Sequence, residues 1–293
     1  MPELPEVETM RRGIGRLVGG RIHAVRFPRS TRRPLSIVPR PALLAERLRG
    51  ARIDAVERHG KRIAIGLEPS GPERALRWLV IEPRMTGLLL LVPPPTADHL
   101  RMELDVGDRP CHRLRFWDQR GLGTIRLVDA AGLERACGAA KLGVDGLVVT
   151  ATDLERALGG SRRAIKVALL DQRAVAGIGN IYAAEILHRA GIDPRTPCRR
   201  LVADDWERVA AAARGILAAA VDHEGSSIGD ELYRTADDRK GSYQRLHRVY
   251  GLAGTSCRRC RTPIERIVQA QRSTFFCPVC QPRRRRAPPR RSG

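Results

Sequence analysis

Two groups of residues in this sequence have types and spacings that can do chemistry. The first is the opening Met1-Pro2-Glu3-Leu4-Pro5-Glu6. Removal of the initiator Met would leave Pro2 with a free secondary amine, which can attack a carbonyl-like carbon and form a charged iminium, as Schiff-base lysines do. An α-amino group titrates near pH ~8, so a useful fraction is neutral and nucleophilic. Glu3 and Glu6 set two carboxylates beside it as general acid and base. The same residues also suit a helix start: Pro5 and the two acids fit a first turn, and Val7, Met10, Ile14 and Leu17 follow at helical spacing. The second group is Cys257-x-x-Cys260, sixteen residues, then Cys277-x-x-Cys280. Two such knuckles make a closed tetrahedral site of four thiolates, the pattern of one structural zinc. A short segment with so little core needs that metal to fold. The three remaining cysteines, Cys111, Cys137 and Cys198, read as packing residues.

Weaker signals lie between these groups. Gly177-Ile178-Gly179-Asn180 leads into a helix; its glycines allow close backbone approach to a ligand, and free N–H groups there favour a phosphate. It also reads as a tight turn capped by Asn180. Arg115 to Gly123 is a β-turn that offers Arg120 beside an apolar tip, Leu122, either a wedge for a base stack or a plain turn. Met85 reads as core or wedge. Lys61 opens a β run, and Arg272 beside Ser273 and Thr274 looks like a phosphate clamp.

Positioning these residues requires several units. Short Val/Ile/Leu-rich runs separated by Gly, Pro and Asp turns fill residues 21–128, which predicts an antiparallel sandwich or barrel; Arg29–Pro39 reads as a surface loop. From about residue 130, Ala/Leu/Arg-rich helices take over, expected around 131–140, 152–158, 162–170, 181–190 and 204–223. Gly225 to Gly241 is polar and long for a turn, and reads as a mobile lid. The expected division is therefore residues 1–130, 131–243, the zinc finger 244–281, and a disordered basic tail 282–293. The net charge is +21; the tail holds six arginines, so the body keeps +15. A body this basic points to nucleic acid, less often to an anionic membrane. No apolar run reaches membrane length and no signal segment opens the chain, which leads to an expectation of a cytoplasmic, nucleoid-associated protein.

Taken in order, these pieces resemble the bacterial Fpg/Nei family, the formamidopyrimidine-DNA glycosylases. The resemblance runs from Pro2-Glu3-Leu4-Pro5-Glu6-Val7-Glu8-Thr9, through Gly177-Ile178-Gly179-Asn180-Ile181-Tyr182, to Gln271-Arg272-Ser273-Thr274-Phe275-Phe276-Cys277-Pro278-x-Cys280. The Glu-Leu-Pro-Glu opening is more similar to the purine-directed branch than to the endonuclease VIII branch. The resemblance implies an α+β fold: an N-terminal β-sandwich flanked by helices, a helix–two-turns–helix domain, and a zinc-finger hairpin. It implies a monomer acting on double-stranded DNA with oxidised bases or abasic sites, away from membranes, by glycosylase and β,δ-elimination lyase steps. It assigns Pro2 as nucleophile, Glu3 as proton donor, Lys61 to β-elimination and Arg272 to δ-elimination. It puts Glu6, His99, Arg162 and Asn180 among the DNA-holding residues, Met85, Arg120 and Leu122 in the gap left by the extruded base, and the 225–241 segment over that base. Departures occur at Leu122, where an aromatic is usual, at Gly121 after Arg120, at Ala97-Asp98-His99, which keeps one of two histidines, and at Arg162 in place of lysine. Two rivals stay open: a pyrimidine-directed enzyme of the same fold, and a non-catalytic zinc-finger DNA-binding protein that needs no free Pro2.

Overall fold

The computed structural model describes residues 2–29, 33–68, 77–107, 113–228 and 232–283. Helix α1 (Leu4–Ile14) carries Pro5 in its first turn, as the sequence suggests, and its apolar spacing serves two cores at once. Val7, Met10 and Ile14 pack into the sheets, whereas Leu4 belongs to the core of the helical half. The opening residues therefore sit at the seam between the two halves.

The N-terminal half contains β1 (Ile22–Arg26), β2 (Ser36–Val38), α2 (Pro41–Leu48), β3 (Arg52–His59), β4 (Arg62–Glu68), β5 (Arg77–Glu82), β6 (Gly87–Leu90), β7 (Leu100–Val106), β8 (Arg113–Asp118) and β9 (Thr124–Val128). They form a sheet ordered β1-β7-β8-β6 and a second ordered β2-β9-β5-β4-β3. Pairing is antiparallel except at the edge, where β2 runs parallel to β9. Ile63 to Leu67 of β4 is a continuous buried run because both faces are covered. Ile63, Ile65 and Leu67 face the core shared with the other sheet, while Ala64 packs with Trp78, Val80 and Cys137. One expectation is corrected here. The Arg29–Pro39 stretch is not all loop, since it carries β2, and a further helix, α2, follows with Pro41 in its first turn and Leu44 and Leu48 buried one turn apart.

The second half holds α3 (Ala130–Cys137), capped by the Asp129 carboxylate on the Gly132 N–H, and α4 (Ala151–Leu158), capped by Thr150 on the Asp153 N–H. Next come α5 (Ile165–Leu169), α6 (Asn180–Ala190) and α7 (Ala203–Asp222), with a short parallel pair, β10 (Val144–Asp145) and β11 (Val175–Ala176). The helix expected over 162–170 is shorter at its start. Ile165 N–H donates to Thr196 O and Cys198 N–H to Arg163 O, so Arg162 and Arg163 follow the neighbouring strand-like segment instead. Strands β12 (Glu265–Gln269) and β13 (Arg272–Phe276) form the terminal hairpin. Cys137 and Cys198 are buried packing residues; Cys111 and residues 284–293 of the tail lie outside the described residues. No helix among the described residues is long and apolar enough to cross a membrane.

The lid reading of 225–241 is also corrected in part. Tyr233 and Ala236 belong to the sheet core. Leu91 N–H donates to Ala236 O (2.8 Å), and Arg16 pairs with Asp237. Leu232 also packs against the core of the sheets, whereas Ile228 packs against that of the helical half.

Candidate active site

The site is organised by the first turn of α1. The Glu3 N–H donates to Glu6 Oε2 (2.9 Å), and Glu6 Oε1 accepts from the Tyr182 hydroxyl (2.6 Å) and the Ser226 N–H (2.8 Å). Burial, then the Glu3 carboxylate, pushes the Glu6 pKa up against the pull of these donors. At 1% exposure Glu6 reaches no surface, so the expected DNA contact gives way to an internal one. It pins α1 to α6 and to the base of the 225–241 segment.

Glu3 is equally buried. Its carboxylate accepts the Ile181 N–H (3.0 Å) and the Tyr182 N–H (3.4 Å), the free amides at the start of α6. The close approach expected at Gly177 to Asn180 is therefore real, but the anion there is the chain's own Glu3, not a phosphate. A Cβ on Gly179 would lie 2.2 Å from Glu3 Cδ, and one on Gly177 2.4 Å from Leu4 Cδ1. The Leu4 N–H closes the contact on Gly177 O (3.0 Å).

Lys61 stands with Gly60 in the two-residue turn between β3 and β4, where the Gly60 φ of +57° matches a hairpin turn that glycine favours. The turn is braced from behind by Arg58, which forks onto Asp145 (2.6 and 3.1 Å) and donates to Glu8 Oε2 (3.0 Å) and Gly60 O (3.1 Å). Burial pushes the Lys61 pKa down; Glu3 opposes that shift and Arg272 reinforces it. Lys61, Glu3 and Arg272 thus share one electrostatic field.

A fourth charge in that field escaped the sequence reading. Lys166 of α5 is fully buried, and its Nζ has no hydrogen-bond partner. Burial, followed by repulsion from Arg272, pushes its pKa down to about 8, with Glu3 pulling the other way. A signal existed: only four of the 53 basic residues are lysines, and two of them, Lys61 and Lys166, stand here.

Arg272 is the first residue of β13, exposed at the hairpin tip. Ala270 and Gln271 before it have φ of +46° and +60°, a two-residue turn whose twist matches the strands. Asn180 Nδ2 donates to Ser273 O (3.0 Å), so the tip is tied to the first residue of α6. Opposite, Met85 and Arg120 line a cavity of about 90 Å³ together with Pro2, Ser226, Ile228 and Leu232. Asp118, fully buried, shapes the Arg120 loop by accepting from Thr86 Oγ1 (2.5 Å), Arg120 N–H (3.2 Å) and Gly123 N–H (2.8 Å). Leu122 is half-buried in that loop and does not line the cavity. Arg162, exposed ahead of α5, and His99, edge-on to Trp117 at 5.5 Å, also stand outside it.

At the far end of the hairpin, the Sγ atoms of Cys257, Cys260, Cys277 and Cys280 all lie within 4.8 Å of one another. The Cys257–Cys280 and Cys260–Cys277 separations are 3.8 and 3.4 Å. A tetrahedron with Zn–S of ~2.3 Å has edges of about 3.8 Å, so the donor set fits one structural zinc.

The family models agree in the same order: Formamidopyrimidine-DNA glycosylase N-terminal domain over residues 1–125, Formamidopyrimidine-DNA glycosylase H2TH domain over 142–231, and Zinc finger found in FPG and IleRS over 256–283. The chain belongs to the formamidopyrimidine-DNA glycosylase family. Among curated members, it is 41% identical to the protein of Chloroflexus aggregans over 96% of this chain and 98% of that one. It is 40% identical to that of Laribacter hongkongensis over 96% and 100%. The fold matches the crystal structure of the Thermus thermophilus glycosylase with a TM-score of 0.80 at 38% identity, covering 96% and 98% of the two chains. It matches the Lactococcus lactis glycosylase in complex with abasic-site DNA with 0.81 at 29% identity, covering 96% and 100%. A mutant of the Lactococcus protein with Fapy-dG containing DNA matches with 0.81 at 31%, with the same coverage.

Proposed function

We propose that this family member excises oxidised purines from duplex DNA with Pro2 as nucleophile and then nicks the abasic site by β,δ-elimination. The observation that carries the reading is the gathering of Pro2, Glu3, Lys61, Lys166 and Arg272 at the seam, with Met85 and Arg120 across the cavity. The damaged nucleotide must leave the stack, at a cost of a few kcal/mol that damage reduces. Met85 and Arg120 offer the apolar and cationic groups to hold the emptied position.

The neutral Pro2 amine attacks the sugar C1′, a proton from Glu3 lets the ring oxygen leave as the 4′ hydroxyl, and the damaged base then departs from C1′ with the proton given up by the Pro2 nitrogen, which leaves the iminium. Glu3 is fixed by the α6 amides, so its carboxyl cannot swing away from the chain end. The resulting iminium acidifies the adjacent C–H, and the 3′ and then the 5′ phosphate depart as anions. Three cations converge on that negative charge: Lys61 from the β3–β4 turn, Lys166 from α5 and Arg272 from the hairpin. The buried, unpartnered Nζ of Lys166 is a cation short of its anion, and a DNA phosphate supplies one. Zinc, when bound, holds the fold of the hairpin that carries Arg272 and takes no chemical role. The division at residues 130, 243 and 281 is part of the proposal, supported by the separate cores of the sheets, the helices and the finger.

The test is borohydride reduction of the protein mixed with a duplex carrying 8-oxoguanine. A stable protein–DNA adduct on the N-terminal peptide is expected. A variant with one residue added ahead of Pro2 should fold, keep zinc and bind lesion DNA, yet form no adduct, because its Pro2 nitrogen is an amide. An adduct on Lys61, or full activity in the extended variant, removes Pro2 from the mechanism. A panel of oxidised pyrimidines beside the purines tests the substrate class.

A further inference from the structure

The last turn of α6 approaches the zinc site from behind. His188 is 3% exposed, and its Nε2 lies 3.7 Å from the Sγ of Cys257, itself 1% exposed. A thiolate bound to zinc has no proton to give, so a polar contact there requires the imidazole to be the donor. The same sulfur accepts the Arg259 N–H at 3.4 Å. The rest of α6 grips the finger too. Glu185 accepts the N–H groups of Arg248 (2.9 Å), Val249 (3.0 Å) and Tyr250 (2.8 Å), and Ala184 packs in one cluster with Cys257, Ile264 and Phe275. Helix and metal site are thus joined by packing, by an acceptor and by a donor within five residues.

We propose that His188 is an outer-shell partner of the zinc site: its Nε2–H donates to the Cys257 sulfur and holds it in place for the metal. Four thiolates around one Zn²⁺ leave two negative charges in a largely buried cluster. Donors to sulfur offset that charge, and loss of such a partner typically costs ~10–100-fold in metal affinity. Helix α6 begins at the Glu3 carboxylate and ends at this sulfur, so the donor also ties the metal to the element that fixes Glu3.

Two variants of the full chain separate this role from simple filling of space. His188→Phe keeps a planar ring of similar size and removes the N–H. His188→Gln loses the ring and keeps an N–H. Zinc affinity is read by competition with a chromophoric chelator, and the thiolate-to-metal absorption band by replacing zinc with cobalt. The expected result is a roughly 10–100-fold weaker zinc affinity and a shifted cobalt band for His188→Phe, with His188→Gln close to the parent. Parent affinity in His188→Phe, or equal losses in both variants, overturns the proposal. If neither variant folds, NMR of the isotope-labelled ring nitrogens in the parent protein decides it: Nε2 should carry a slowly exchanging proton, and a ring protonated on Nδ1 alone overturns the assignment.

Discussion

Lys166 offers a sharp separation of stability from function. Its Nζ is buried without a partner, and its pKa falls from 10.5 to about 8. A gap of about 2.5 units at 1.36 kcal/mol each places about 3 kcal/mol of strain on the folded state while the amine is charged. Lys166→Met keeps most of the stem and removes the charge, so the free protein should gain up to about 3 kcal/mol at pH 7. The sign with pH follows from proton counting. Between about 8 and 10.5 the unfolded chain binds more protons than the folded one, so the stability of the parent rises with pH across that window. Below about 8 the full penalty is present, and above 10.5 it is gone. The advantage of the variant should therefore be largest near neutrality and close as pH rises from 8 to 10.5. Urea unfolding followed by the fluorescence of buried Trp117 and Trp206 measures it. The same variant should cut abasic DNA at least ~10-fold more slowly, since the departing phosphate loses a charge-assisted partner. A variant that is no more stable than the parent at pH 7, or an advantage that does not change with pH, refutes the picture of a desolvated, unpaired cation.

Three further outcomes follow from the geometry. Gly179→Ala should lower adduct formation by about 100-fold, because its Cβ would meet Glu3 Cδ at 2.2 Å and a displacement of about 1 Å costs that much; parent-level borohydride trapping would show that the contact can relax. Cys260→Ser or Cys277→Ser should release about one zinc per chain and abolish DNA binding, measured by metal analysis and gel shift, with normal cutting by a metal-free variant as the contrary result. Leu122→Ala should slow excision on a duplex more than cleavage of a pre-formed abasic site, where no base needs displacing; because Leu122 does not line the cavity, equal losses on both substrates would mark it as a folding residue.

Where the chemistry depends on residue type and local spacing, it was legible in the chain itself. The two C-x-x-C pairs and the Pro2-Glu3-x-x-Glu6 opening are of this kind, as are the strand runs from 52 onward. What escaped depends on contacts remote in sequence. Glu6 reads as a carboxylate free for chemistry, yet Tyr182 and Ser226 close over it from 176 and 220 residues away. The glycines at 177 and 179 advertise a close approach but not what approaches. Strand β2 is three residues long and finds its register only against β9. The polar 225–241 segment looks like a lid because its few apolar residues, Tyr233 and Ala236 among them, show no period, although they are buried against the sheets. Lys166 lies in an apolar run and announces itself only through the rarity of lysine in so arginine-rich a chain.

The seat of Glu3 on the first turn of α6 also has a bearing on biosynthesis. Pro2, the proposed nucleophile, is among the first residues made, but the first amide that fixes Glu3 is made 178 residues after Glu3, and Arg272 is nearly the last piece of the described chain. At ~5–20 residues per second, roughly 10–35 s pass between synthesis of Glu3 and of Ile181. On the proposed mechanism, a nascent chain that stops short of Ile181 would hold the Pro2 amine with no site around it. Strand cutting would likewise wait until the hairpin that carries Arg272 has been made and its finger has closed on zinc, a form of quality control that needs no separate inhibitor.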